Sequence, residues 1–155
     1  MFGLRQTEAY YRMFSQKLVV LLATIFLVGC VANSAVRHEA PSTDLSRLHT
    51  FHVRHFSPDG RAVDSLIAKE LRRMGFQASY GEIEPDDVDA VVTYRDKWYW
   101  DFSTYMLALS IKIRDPDTDF PLAEGNSLHT SLARKTPEAM VKEVLSNIFG
   151  EYQSD

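Results

Sequence analysis

Three histidines, His49, His52 and His55, follow one another at intervals of three residues and are candidate metal ligands. Imidazole nitrogens are common ligands of transition metals. They fall in a short β-rich run, residues 48–56. Successive side chains of a strand point to opposite faces, so His49 and His55 share a face and His52 points away. The three rings therefore do not converge on one ion. We predict no metal site here, with a metal or small-ligand carrier built on this segment as the alternative.

Alternating aspartates at positions 115, 117 and 119 match the start of an EF-hand calcium loop. That loop requires Gly at its sixth position and Glu at its twelfth, where this sequence has Phe120 and Asn126. Turn formation is the better explanation, because Asp side chains hydrogen-bond nearby backbone groups. The acidic stretch 82–89 is interpreted in the same way, as a solvated loop.

Sequence motifs of catalysis and cofactor binding are missing. The chain has no Gly-rich phosphate loop, no nucleophile elbow and no Cys–His pair. We predict a protein that is not an enzyme and holds no cofactor. A hydrolase remains the alternative, because a Ser-His-Asp set is spatial and sequence order does not reveal it. The net charge of −4 and the pI near 5.7 argue against nucleic acid as a partner.

The single cysteine, Cys30, closes an uncharged run of 13 residues that follows Lys17. A membrane-spanning helix needs about 20 apolar residues, so this run has instead the length of a signal-peptide core. Its last four residues, Leu27-Val28-Gly29-Cys30, resemble the lipobox of bacterial lipoproteins. The resemblance implies acylation of the Cys30 sulfur, cleavage after Gly29, and acylation of the new amino group. Two or three acyl chains anchor a protein stably to a membrane.

Cleavage would remove residues 1–29, with three basic residues and one acidic residue, and leave 126 residues with a net charge of −6. The commoner length of such signals favours Met13 as the true start. In enterobacterial lipoproteins, Asp after the cysteine retains the protein in the inner membrane. Val31 is therefore compatible with an outer-membrane anchor and a domain in the periplasm, or with the cell membrane of a single-membrane bacterium. We predict a lipid-anchored flexible tether over residues 30–46, one domain over 47–150 and a tail over 151–155.

Hydrophobic periodicity within the domain predicts the order β-α-β-β-β-β-α. The first helix is predicted over residues 61–74 and stops at Gly75-Phe76, and the last helix is capped by Thr136 with Pro137 at its first position. Neighbouring strands with two amphipathic helices favour an α+β two-layer sandwich. We expect an antiparallel or mixed sheet of 4–5 strands with both helices on one face.

Large aromatic residues cluster in residues 98–102, at the turn between two predicted strands. Alternation places Trp98 and Trp100 on the core face and leaves Tyr99 and Phe102 exposed. Exposed aromatic side chains at a hairpin tip are typical hot spots for a protein, glycan or lipid partner. We therefore predict Tyr99 and Phe102 as partner-binding residues.

The domain also resembles small bacterial outer-membrane lipoproteins of uncharacterised function. The residues that carry the likeness are Gly75-Phe76 after a helix, the strand opening Asp89-Ala90-Val91-Val92-Thr93-Tyr94, and the helix opening Thr136-Pro137-Glu138. Such domains are similar to the TolB amino-terminal domain and to the lipopolysaccharide-assembly lipoprotein. The resemblance implies a periplasm-facing binding or assembly module for an envelope protein or a glycolipid, with no catalytic residues.

Overall fold

Strands and helices follow the hydrophobic periodicity of the chain. The computed structural model describes residues 44–150, in which one turn of 3₁₀ helix, Leu45–Arg47, precedes five strands and two helices. In chain order these are β1 (Thr50–Arg54), α1 (Val63–Arg73), β2 (Gln77–Gly81), β3 (Ala90–Asp101), β4 (Ser103–Arg114), β5 (Pro121–Leu128) and α2 (Pro137–Phe149).

The five strands form one mixed sheet in the order β2-β1-β3-β4-β5. β1 lies at the second position and runs parallel to both of its neighbours, whereas β3, β4 and β5 form an antiparallel meander. The predicted α+β class and the order of the elements are confirmed. The sheet has five strands, and of the two predicted arrangements it adopts the mixed one.

Both ends of α1 are set by short-range hydrogen bonds. The helix begins at Val63, two residues later than predicted, because Ala62 before it adopts a left-handed conformation with φ of 54°. The predicted stop at Gly75 and Phe76 is confirmed as a Schellman motif. The Phe76 N–H donates to the Leu71 carbonyl at 3.1 Å, and Gly75 has the positive φ of 95° that this stop requires.

A single hydrophobic core lies between the two helices and one face of the sheet. It contains Ile67 and Leu71 of α1, Val144 and Ile148 of α2, and inward-facing residues of the strands. Leu45 also belongs to this core and is buried. Leu45 therefore packs against the core two residues before residue 47, the predicted start of the domain.

The predicted signal segment 1–29, the predicted lipidation site Cys30 and the tail 151–155 lie outside the described residues. Within residues 44–150, neither helix has both the length and the hydropathy needed to cross a bilayer.

Gly125 lets α2 lie close against β5. A Cβ at this position would meet Ile148 Cγ1 at 2.9 Å, Val144 Cγ1 at 3.0 Å and the Val144 carbonyl oxygen at 3.1 Å. Contacts this short force neighbouring atoms to move, and part of this contact is backbone. The absent side chain is therefore a packing requirement at the interface between helix and sheet.

We expect Gly125→Ala to lower the free energy of unfolding by about 1–3 kcal/mol, the usual effect of overpacking a tight interface. Denaturant unfolding measures the change. Gly60→Ala is the matched control, because a Cβ there has no atom within 4 Å. Equal effects of the two substitutions would contradict the packing argument.

Candidate functional site

The end of the β3–β4 hairpin projects beyond the rest of the sheet. β1 pairs with β3 only up to Val92, and the pairing of β5 with β4 reaches Ala108. From Trp98 paired with Met106 to Asp101 paired with Ser103, the hairpin has no flanking strand among the described residues. We call residues 98–106 the aromatic arm.

Three aromatic side chains of the arm are exposed. Phe102 at the tip is 96% exposed, Trp100 is 71% exposed and Tyr99 is 55% exposed. The predicted exposure of Tyr99 and Phe102 is confirmed. The prediction that Trp100 faces the core is wrong, because none of the described elements covers it. Trp98, two residues earlier on the same face, is partly buried against the core as predicted.

The tip is a one-residue turn between the two strands. Asp101 pairs with Ser103, and Phe102 between them has a φ of 56°. This left-handed conformation is uncommon for a bulky residue. It places the phenyl ring of Phe102 at the outermost point of the hairpin, where it is almost fully accessible.

Two arginines contact the arm. The Arg61 guanidinium lies 4.3 Å from the centre of the Trp98 ring, and the Arg134 guanidinium lies 4.3 Å from that of Tyr105. Arg134 also donates to Ser103 Oγ at 2.7 Å and to the Asp101 carbonyl at 3.0 Å. Cation–π contacts of this kind contribute about 0.5–2 kcal/mol each. The two arginines therefore hold the arm from Trp98 to the backbone on either side of Phe102, while the rings of Tyr99, Trp100 and Phe102 stay exposed.

Sequence reasoning overlooks Trp100 and the two arginines. Alternation along β3 places Trp100 on the same face as Trp98, but it does not tell where the covering layer ends. The contacts of Arg61 and Arg134 join segments far apart in the chain, and sequence spacing carries no sign of them.

The carboxylate of Asp59 connects the arm to the helix layer. Its Oδ2 accepts from the Val63 N–H and from the Tyr94 hydroxyl, both at 2.7 Å, and its Oδ1 accepts from the Arg61 N–H at 2.7 Å. Asp59 therefore caps α1 in place of Ala62, positions the arginine that stacks on Trp98, and holds β3 four residues before the arm.

The ionisation of this pair follows from its surroundings. Burial alone would raise the pKa of Asp59, but the hydrogen bonds from Tyr94 and from the backbone N–H groups of Arg61 and Val63 outweigh it, so the pKa lies below its ordinary value. Burial and the hydrogen bond to Asp59 raise the pKa of Tyr94. Asp59 is thus a charged acceptor and Tyr94 a neutral donor throughout the physiological range.

The three histidines are not brought together. In His52 both ring nitrogens have partners, with Nδ1 2.9 Å from Ser79 Oγ and Nε2 3.2 Å from the Gly81 carbonyl. His55 Nδ1 lies 2.8 Å from Asp64 Oδ2, and this hydrogen bond raises the pKa of His55. Among residues 44–150, no group of three His, Cys, Asp or Glu side chains could hold a metal ion. No arrangement in this segment favours the metal-carrier alternative.

The acidic segments make structural contacts. Asp115 Oδ1 accepts from the Thr118 N–H at 2.9 Å and from its hydroxyl at 2.7 Å, which closes the β4–β5 turn. Asp89 Oδ2 accepts from the His49 and Thr50 N–H groups, both at 2.8 Å, and so joins the start of β1 to the start of β3.

Similarity to known proteins is limited to the fold. No family model matches the chain, and no curated protein does. Among solved structures, the PelC dodecamer from Paraburkholderia phytofirmans is 15% identical, with a TM-score of 0.57 over 74% of this chain and 98% of that chain. A single-site variant of the same PelC, also 15% identical, has a TM-score of 0.54 over 74% and 95%. A PDZ domain protein from Parabacteroides distasonis is 8% identical, with a TM-score of 0.48 over 79% of this chain and 35% of that chain. At these identities the PelC likeness shows a shared fold alone, and the PDZ match carries no argument.

We expect Tyr94→Phe to lower the free energy of unfolding at neutral pH by about 1–3 kcal/mol, because it leaves the buried Asp59 carboxylate without one donor. A group with a lowered folded-state pKa contributes stability above its unfolded pKa, about 3.9 for Asp, and loses it as the pH falls through the folded value. The difference between the variant and the wild type should therefore shrink in acid.

Unfolding curves from pH 7 down to pH 2 measure this dependence. Tyr80→Phe is the control, because Tyr80 is 49% exposed and a surface hydroxyl contributes little. A Tyr94→Phe deficit that does not change with pH would contradict the assigned role of Asp59.

Proposed function

We propose that this chain is a lipid-anchored, non-enzymatic lipoprotein of the bacterial cell envelope, and that the aromatic arm binds another envelope protein. The observation that carries the proposal is the arm itself, which has three exposed aromatic side chains on a hairpin held by two arginines. The lipobox residues support the anchor. The anchor belongs to the outer membrane, with the domain in the periplasm.

The anchor and the arm have complementary roles. Acylation at Cys30 keeps the domain at the membrane. A protein restricted in this way meets its partner at a high effective concentration. The arm then needs only a modest intrinsic affinity for a partner in the same membrane or in the periplasm.

The chemistry of the arm fits a protein partner. Tyr, Trp and Phe bury about 150–250 Å² each and lose few rotamers on binding, so a small cluster of them can dominate an interface. Because Arg61 and Arg134 hold the backbone of the arm in place, little ordering entropy remains to oppose binding. A glycolipid is the other ligand class that such rings can contact, and the experiment below separates the two.

We expect Cys30→Ser to abolish acylation and cleavage, since the sulfur is the acceptor of the first acyl chains. Metabolic labelling with palmitate and the apparent mass of the protein check this. Cys30 is the only cysteine of the sequence, so the wild-type label reports on one side chain. Label retained by the variant would overturn the lipobox assignment.

We expect Tyr99→Ala and Phe102→Ala each to weaken partner capture by about 30-fold, the effect of losing a hot-spot contact of about 2 kcal/mol. The wild-type lipoprotein and both variants are crosslinked in cells, purified, and compared for co-purifying proteins and glycolipids. Phe120→Ala is the matched control, because Phe120 is also 55% exposed but lies at the opposite end of β4.

The proposal predicts a protein that is lost from both arm variants and kept by the control. Unchanged protein capture by the arm variants would refute the arm as the binding site. Loss of a glycolipid with no change in proteins would replace the protein partner by a glycolipid.

A further inference from the structure

A groove lies on the face of the sheet that the helices leave uncovered. Val53, Val92 and Ile111 point into the core, so Arg54, Thr93 and Lys112, their neighbours in the chain, point to the opposite face. A cavity of about 560 Å³ opens there, and its size suits a small ligand. It is lined chiefly by polar side chains, among them Arg54, Thr93, Arg95, Ser110, Lys112 and Arg114.

Four of the lining side chains are cationic, which stands out in a chain of net charge −4. The strand register explains the clustering. Lys112 of β4 is paired with Thr93 of β3, and Arg95 is paired with Ser110. The short β1 ends at Arg54 and brings a further guanidinium from the other side. Four cations and two hydroxyl groups therefore line one cavity.

Carboxylates balance these cations only in part. Glu84 Oε2 is 2.9 Å from a terminal nitrogen of Arg54, and Glu124 Oε2 is 3.1 Å from Lys112 Nζ. Arg95 has no carboxylate partner among residues 44–150. Its guanidinium lies 4.0 Å from the centre of the Phe56 ring, and its one hydrogen bond to a described residue is a long one, 3.4 Å, to the Tyr94 carbonyl. Stacking on Phe56 thus positions the Arg95 guanidinium group, while most of its N–H groups stay available to a ligand.

Among residues 44–150, Asp119 is the only carboxylate that lines the cavity. Its Oδ1 is 3.5 Å from Arg54 and its Oδ2 is 3.2 Å from Arg114, so one carboxylate joins two guanidinium groups. Its side chain is 59% exposed, and it sits in the β4–β5 turn with a φ of 56°. An exposed ion pair of this kind contributes about 0–1 kcal/mol and exchanges readily. Asp119 occupies the position that an incoming oxyanion would take.

We propose that this groove is a phosphate-binding site in which Arg54, Arg95, Lys112 and Arg114 contact the ligand and Asp119 is the internal anion that the phosphate displaces. Guanidinium groups match the oxygens of a phosphate in pairs, and lysine adds a point charge. The phosphate belongs to a soluble small molecule or to the headgroup of an anionic lipid. The site is separate from the aromatic arm and does not rest on the function proposed for it.

The test is a calorimetric titration of the full chain in detergent with inorganic phosphate and with glycerol phosphate. We expect saturable binding that Asp119→Asn tightens about tenfold, because the competing carboxylate loses its charge. Arg95→Gln should weaken binding about tenfold, the loss of one charge-assisted contact. Arg95 is exposed and makes few contacts, so its variant retains the fold.

Lys142→Gln on the exposed side of α2 is the charge-matched control and should bind as the wild type does. Phe102→Ala should also leave phosphate binding unchanged, which separates this site from the arm. No saturable binding by the wild type, equal losses in Arg95→Gln and Lys142→Gln, or no tightening in Asp119→Asn would overturn the proposal.

A second measurement identifies the source of the phosphate. The full chain is placed in nanodiscs of phosphatidylcholine, with or without phosphatidylglycerol, and titrated again with inorganic phosphate. Competition by phosphatidylglycerol that requires Arg95 supports a lipid headgroup. Unchanged phosphate affinity in both discs supports a soluble ligand.

Discussion

The buried carboxylate of Asp59 holds the helix layer and the sheet of this domain in register. It accepts a hydrogen bond from the N–H of Val63, the first residue of α1, which has no side-chain cap from Ala62, and another from the Tyr94 hydroxyl in the middle of the sheet. The energetic reason is general, because a charge taken out of water must find donors in the protein. Its donors come from Arg61, from Val63 at the start of α1 and from Tyr94 of β3. The charge can therefore be buried only when these segments pack together.

Local patterns in the sequence are sufficient for much of this architecture. The strict alternation from residue 90 to 113 predicts β3 and β4, and the Gly75-Phe76 stop and the Thr136 cap predict helix ends that the structure contains. Alternation also indicates that Arg95 faces away from the core. Alternation does not predict the parallel pairing of β1, which brings Arg54 to the same cavity. Nor does it predict the hydrogen bond between Asp59 and Tyr94, 35 positions later. Both depend on tertiary packing between distant segments, and the periodicity of a single sequence carries no information about such packing.

The arm and the groove share one hairpin. Arg95 and Phe102 are seven positions apart on β3 and its turn, which corresponds to roughly 20 Å along an extended strand. The groove lies where the hairpin is flanked by other strands, and the arm lies where it is not. The hairpin thus presents a cationic surface near its base and an aromatic one at its tip, and the ligands proposed for the two surfaces would not compete for space.

The left-handed backbone at Phe102 lowers the stability of the chain, while it places an aromatic ring at the exposed tip of the hairpin. A residue with a Cβ pays about 1 kcal/mol or more in that conformation, and glycine would relieve the strain. Glycine would also remove the outermost aromatic ring of the molecule. A single substitution of Phe102 by glycine would therefore give a more stable chain. That chain would lack the aromatic ring that distinguishes this surface. Such an opposition between stability and activity is common where a protein meets its ligand.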